Sequence, residues 1–183
     1  MSRSYFLLAC CFFLACQARA QDRWITRKGE VRINASTPLE DIDATNHQVN
    51  AILSPADEGF AVVMLVSEFQ FRRKLMQEHF NENYMESHRY PKATFSGRIQ
   101  GISGLDPGET RHLPVSGTLT IHGIPREVET EAEVTRQGDR WLVGANFTVR
   151  TEDHGIDIPT IVFKKIAEEV QVYVDLALEA TGK

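Results

Sequence analysis

The chain has 183 residues, 20 basic and 25 acidic, for a net charge of −5. An acidic chain without a basic stripe lacks the electrostatic footprint of a nucleic-acid binder and has no charge-based reason to sit on an anionic membrane. Its three cysteines, Cys10, Cys11 and Cys16, all lie close to the start, so a disulfide framework is not expected over the remainder.

The first twenty residues read as a secretory signal peptide. Arg3 supplies a positive start, "YFLLACCFFLAC" (5–16) is an apolar run too short to span a bilayer, and "ARA" (18–20) places small residues before a cleavage point at Gln21. Cys16 also invites comparison with a lipoprotein signal, but Phe13 is a poor residue three positions before the cysteine, so cleavage after Ala20 is the preferred reading. Residues 21–183 then form one domain carrying 18 basic and 25 acidic residues, a net charge of −7. The expected location is exported, either periplasmic or secreted. No later apolar run reaches transmembrane length, so no stable membrane insertion is expected.

Period-two alternation dominates the rest and predicts eight strands, at 24–34, 46–53, 59–71, 92–102, 111–122, 125–136, 140–151 and 168–179. In the first, Val31 and Ile33 share a face with Ala35. "TPLEDI" (37–42) then has Thr37, Pro38 and Glu40 in the places of a capping box and predicts a short helix. "FAVVMLVSEFQF" (60–71) is apolar on both faces as far as Val66, which predicts an outer cover as well as an inner core. The next segment, 72–81, has Leu75 with His79 and Met76 with Phe80 at i,i+4 and predicts an amphipathic helix that supplies this cover.

"EHFNENYMESHRYPKATFSG" (78–97) is the most polar passage. Its histidines, His79 and His88, are nine apart, and the i+4 neighbour of His79 is Asn83, a poor metal ligand. The passage therefore reads as a helix end, a turn-rich connection and a new strand, with His79 packed beside Leu75 and donating its ring N–H to a nearby carbonyl or carboxylate. No metal site is expected.

"HGIP" (122–125) and "QGD" (137–139) are tight links and imply antiparallel neighbours. The strands they join alternate cleanly. Val128 opposes the glutamates Glu127 and Glu129, and Trp141, Val143 and Phe147 share one side. "DHG" (153–155) puts a carboxylate beside an imidazole, but neighbours on a strand face opposite ways, so no catalytic dyad is expected. There is no G-x-S-x-G turn and no phosphate-cradling glycine loop, so no enzyme is expected. A third short helix is predicted at 160–169. The last strand turns Val172 and Val174 to one face.

Eight antiparallel strands with short helices suit either a closed barrel or a two-sheet sandwich. In a barrel, the inward candidates are Val31, Ile33, Phe60, Val62, Val128, Trp141, Val143, Phe147, Val172 and Val174. Alternation leaves open whether they line a ligand cavity or fill a solid core. Arg98, Arg150 and Lys164 are candidates to meet a ligand headgroup at a barrel mouth.

Four stretches resemble the YceI-like family of exported, lipocalin-like, polyisoprenoid-binding proteins. They are "NASTPLEDIDATNHQVNAIL" (34–53), "FQFRRKLMQEHFNENYMESHRYPKATFSGRI" (69–99), "VSGTLTIHGIPREVETEAEV" (115–134) and "FTVRTEDHGIDIP" (147–159). The second is the longest and most specific. The resemblance implies an all-β fold, an eight-stranded antiparallel lipocalin-like barrel with an apolar lumen. It implies as partner a hydrophobic or amphiphilic small molecule of isoprenoid type, such as a polyprenyl phosphate or a quinone, often in a homodimer. It implies no cofactor beyond such a bound lipid. The competing expectation is a barrel plugged by Trp141, Phe147 and Phe60 that serves as a protein-interaction module in envelope stress.

Overall fold

The computed structural model describes residues 22–158 and 166–181. It contains strands β1 (Trp24–Asn34), β2 (Asp43–Ser54), β3 (Gly59–Leu65), β4 (Gln70–Phe71), β5 (Lys92–Ile99), β6 (Thr110–Ile121), β7 (Ile124–Gln137), β8 (Arg140–Arg150) and β9 (Glu169–Ala180), and one helix, α1 (Lys74–His79). The sheet runs β1-β9-β8-β7-β6-β5-β3-β2, and pairing of β1 with β2 closes it into an eight-stranded antiparallel barrel. β4 is an extra two-residue strand on the upper part of β2, pairing Phe71 with Ala44 and Gln70 with Thr45. All-β barrel architecture with short helices is therefore as the alternation and the resemblance anticipated.

The pairing registers give the barrel two ends. The lower end carries the β2–β3 and β7–β8 turns, and the upper end carries the β1–β2 and β6–β7 turns together with α1. The β6–β7 turn is a two-residue link in which His122 (φ 52°) and Gly123 (φ 75°) both lie in the left-handed region. That is the geometry whose twist matches a right-twisted hairpin.

The lower interior is solid. Leu53, Ile99, Val134 and Leu178 point inward from four strands, and a 3-10 turn at Ile102–Gly104 folds Ile102 and Leu105 beneath them. Trp24 and Trp141 meet edge-to-face at 6.2 Å, an arrangement suited to two ring quadrupoles. Halfway up, β5 and β6 approach closely at the opposed pair Gly97 and Gly117. The Phe95 ring covers the bare glycine pair from inside, its Cζ 2.9 Å from where a Gly117 Cβ would stand.

Three predicted elements differ from the structure. Residues 37–42 form no helix; they make a tight turn closed by the Thr37–Glu40 bridge, with Thr37 Oγ1 accepting from the Leu39 N–H. The turn returns the chain from Asn34 to its partner Asp43, with the Ala35 N–H on the Ile42 carbonyl and the Ile42 N–H on Ser36 Oγ continuing the antiparallel approach up to it. The predicted 59–71 strand breaks at Leu65 into a 3-10 turn, Val66–Glu68. The segment at 72–81 is helical only over Lys74–His79, then widens into a π turn at Phe80–Tyr84. It lies over the barrel end and not against the outer face of β3, so Val63 and Leu65 remain exposed, at 37% and 42%. Most of the predicted helix over 160–169 falls on residues 159–165, outside the described ones, and Glu169 already opens β9.

The break after β3 rests on Asn46, a residue the hydrophobic pattern does not single out. It is fully buried, its amide donates to the Leu65 carbonyl at 2.9 Å, and its Oδ1 accepts from the Gln48 N–H at 2.8 Å. Asn46→Ala leaves the Leu65 carbonyl and the Gln48 N–H without these partners and removes a fully buried amide. A loss of about 1–3 kcal/mol in denaturant unfolding is the expected result.

Candidate functional site

Above its solid floor the barrel is hollow. A cavity of about 750 Å³ occupies the upper interior, within the roughly 300–1,000 Å³ typical of small-molecule pockets. Alternation builds its wall. Val31 and Ile33 of β1, Phe60 and Val62 of β3, Val128 of β7, Val143 and Phe147 of β8, and Val172 and Val174 of β9 all line it. Trp141 does not; it sits one inward position below Val143, in the packed floor against Trp24. The interior is thus plugged at the bottom only. Phe60 and Phe147, the other two candidate plugs, stand in the wall of open space.

Further wall residues share the parity of those candidates and follow from the same rule. Met64 continues Phe60 and Val62, and Ala145 and Val149 continue the face of Val143. The roof is harder to read. Phe80 at the helix end packs on Phe69 at 5.6 Å and Phe71 at 4.9 Å, and Tyr84 of the π turn and Met85 just after it line the cavity too. Alternation says nothing of residues on a helix or irregular turn, so only the i,i+4 pairing of Met76 and Phe80 points inward.

The polar passage resolves into a roof and its fastening. His79 is exposed and lines the cavity edge, with no hydrogen bond to its ring among the described residues, so the expected donation to a carbonyl is not found. The fastening uses Glu86, whose carboxylate meets His122 Nε2 at 3.1 Å, and Tyr90, whose ring stacks edge-on against His122 at 4.3 Å. His154 is buried on a 3-10 turn, Glu152–His154, with its Nδ1 3.0 Å from the Ile124 carbonyl. Arg126 Nε donates to the Asp153 carbonyl at 2.6 Å. Asp153 and His154 therefore tie the top of β7 to the chain leaving β8. His47 and His112 face Glu30 and Glu133 on the outer surface. Among the described residues no three histidines, cysteines or carboxylates gather where a metal ion could be held.

The wall itself has an interruption. β6–β7 and β8–β9 are paired along their whole length, but β7 and β8 pair only from Ala132–Ala145 down to Gln137–Arg140. Above Ala132 the two strands diverge. Val128, Phe147 and Val149 flank the gap on the cavity side, and Glu127, Glu129, Thr130 and Thr148 reach the cavity there too. Glu127 and Glu129 are exposed. The three cations expected to meet a headgroup do not converge here. Arg98 lies on the exposed side of the lower barrel, Arg150 pairs with Glu152 at 2.6 Å, and Lys164 lies outside the described residues. Among the described residues no arginine or lysine lines the cavity, and no helix is long and apolar enough to cross a membrane.

Comparison with known proteins agrees with this architecture. Residues 25–178 match the model of the YceI-like domain. A polyisoprenoid binding domain from Saccharophagus degradans, implicated in plant cell wall breakdown, superposes with a TM-score of 0.76 at 19% identity, covering 86% of this chain and 98% of that one. BcnA of Burkholderia cenocepacia gives a TM-score of 0.69 at 18% identity, covering 82% and 96%. The Campylobacter jejuni YceI protein gives 0.56 at 15% identity, covering 74% and 82%. At these identities the solved structures bear on the fold alone. No curated protein matches the chain.

Proposed function

The chain belongs to the YceI-like family, and from that premise we infer that it is an exported, non-enzymatic carrier whose upper barrel holds the tail of an isoprenoid-type amphiphile. The observation that carries this reading is the hollow of about 750 Å³ walled by aliphatic and aromatic side chains over a packed floor. Burial of an apolar tail there gains roughly 25 cal/mol for each Å² removed from water. The Saccharophagus degradans neighbour, described as polyisoprenoid-binding, supports the choice of ligand class. The apolar run at 5–16 followed by "ARA" supports export. At roughly 30 Å³ for each water-sized group, the cavity takes about 25 heavy atoms, or about five isoprene units. A longer tail has to leave part of itself outside.

A barrel filled throughout and working only as a protein-interaction module would need the upper interior closed, and Phe60 and Phe147 stand at its wall instead.

Native mass spectrometry of protein purified without detergent tests the carrier. The expected result is a bound lipid mass that organic extraction removes and added polyprenol or quinone restores. A clean apo mass with no uptake of either compound overturns the proposal.

A further inference from the structure

The gap between β7 and β8 is framed on all four sides. Its lower edge is the Ala132–Ala145 pair, the last before the strands part. Its flanks are β7, held by its ladder to β6, and the upper part of β8, held by its ladder to β9. Its upper edge is the fastening already described, Arg126 to the Asp153 carbonyl and His154 to the Ile124 carbonyl. On the β8 side the opening runs over residues 146–150, roughly 15 Å of strand at about 3.3 Å per residue. A hydrogen bond from Thr130 Oγ1 to the Asn146 carbonyl crosses the gap, but it is 3.5 Å long and lies beside the lower edge. Strand edges facing each other across a barrel wall ordinarily pair, since each unpaired N–H and C=O forgoes a ladder partner. Here both strands are anchored elsewhere and stay apart where the cavity lies behind them.

The opening is chemically two-sided. Toward the interior it presents Val128, Phe147 and Val149; toward solvent it presents the carboxylates of Glu127 and Glu129. Of the cations at its upper corners, Arg150 is paired with the Glu152 carboxylate, and Arg126 is held by its Nε on the Asp153 backbone carbonyl. Glu127 also accepts from the Thr118 hydroxyl of β6 at 2.6 Å, so its carboxylate leans to the β6 side of β7, whereas Glu129 has no such partner among the described residues.

Resting on the carrier reading, we propose that this side window is the doorway of the cavity, and that the ligand's polar end rests in it between β7 and β8. The tail passes Val128 and Phe147 into the hollow. The head meets carboxylates, which accept hydrogen bonds and repel negative charge. The window therefore favours an uncharged, hydrogen-bond-donating head, such as an alcohol, over a phosphate on the same tail.

The test uses geranylgeraniol and geranylgeranyl monophosphate, which share one tail, with the full chain and its Glu127→Lys/Glu129→Lys variant. Both side chains are exposed, so the exchange leaves the core untouched. Glu133→Lys, on the paired part of β7 and away from the cavity, serves as the control. The wild type should bind the alcohol at least tenfold more tightly than the phosphate. The double variant should reverse that ratio by tenfold or more, with an effect that shrinks as salt is raised, and the control should leave the ratio unchanged. If the double variant binds both compounds in the wild-type ratio, or the control shifts the ratio equally, the head does not rest in the window. The proposal then fails while the carrier reading stands. If no form of the protein binds either compound, the carrier reading fails and the doorway with it.

Discussion

Gly117→Val is expected to lower stability by about 3 kcal/mol or more, the upper range for a side chain forced into filled space. A Cβ at Gly117 would stand 2.5 Å from the Ser96 carbonyl oxygen and 2.5 Å from the Gly97 Cα. Both are backbone atoms of the neighbouring strand, so no rotamer change relieves the clash; β5 and β6 must separate. The Phe95 ring would also be pushed from its seat over the glycine pair, 2.9 Å from the same point, and into the cavity it lines. The measurement is the denaturant midpoint, with Gly104→Ala as reference. At Gly104 the point a Cβ would occupy has no atom within 4 Å, and φ is not positive, so that exchange should stay within about 0.5 kcal/mol. A mild effect at Gly117 would mean that the two strands are not held at this separation.

The second large effect separates the floor of the barrel from its hollow. Ala145 lines the cavity just above the floor, opposite Ala132 and Val174. Ala145→Phe adds six ring carbons, roughly 180 Å³ at about 30 Å³ each, to a space of about 750 Å³. Isoprenoid binding should fall at least about tenfold, a change of about 1.4 kcal/mol. The melting temperature should hold or rise, because the ring enters a void and not a packed region. Trp141→Ala should do the reverse. It opens a cavity in the solid floor, beside Trp24, at a cost of about 3–5 kcal/mol, and leaves the wall of the hollow in place. Isothermal calorimetry with a matched polyprenol and thermal melts of both variants check the pair. Equal loss of stability in the two would show that the upper interior is as full as the lower one.

Much of the wall is readable from side-chain parity. Val31, Ile33, Val128, Val143, Phe147, Val172 and Val174 follow from alternation alone, because a strand has only two faces and solvent takes one. Trp141 obeys the same parity yet belongs to the floor. Parity gives the side of a sheet on which a residue lies, and height along the barrel depends on how eight strands are staggered against one another. The rest of the roof escapes for a related reason: apart from Phe80, whose i,i+4 spacing with Met76 shows its face, Tyr84 and Met85 sit at a turn of mixed period, where no single repeat marks an inward face. Asn46 escapes because a polar residue in a strand reads as solvent-facing unless the carbonyl it serves, that of Leu65 at the break of the strand, is known to lie beside it.

An all-β chain with inward aliphatic faces, tight hairpins at 122–125 and 137–139, and stretches specific enough to indicate the family are all written in the amino-acid order. These are local properties, set by side-chain parity and turn chemistry. The solid lower interior, the hollow upper one and the parting of β7 from β8 above Ala132 arise only when the strands assemble. The glutamates Glu127, Glu129, Glu131 and Glu133 repeat every second residue without change across that point. Whether a strand keeps its neighbour depends on the competing anchors of both, here β6, β9 and the turn at Glu152–His154, and no short window of sequence contains all of them.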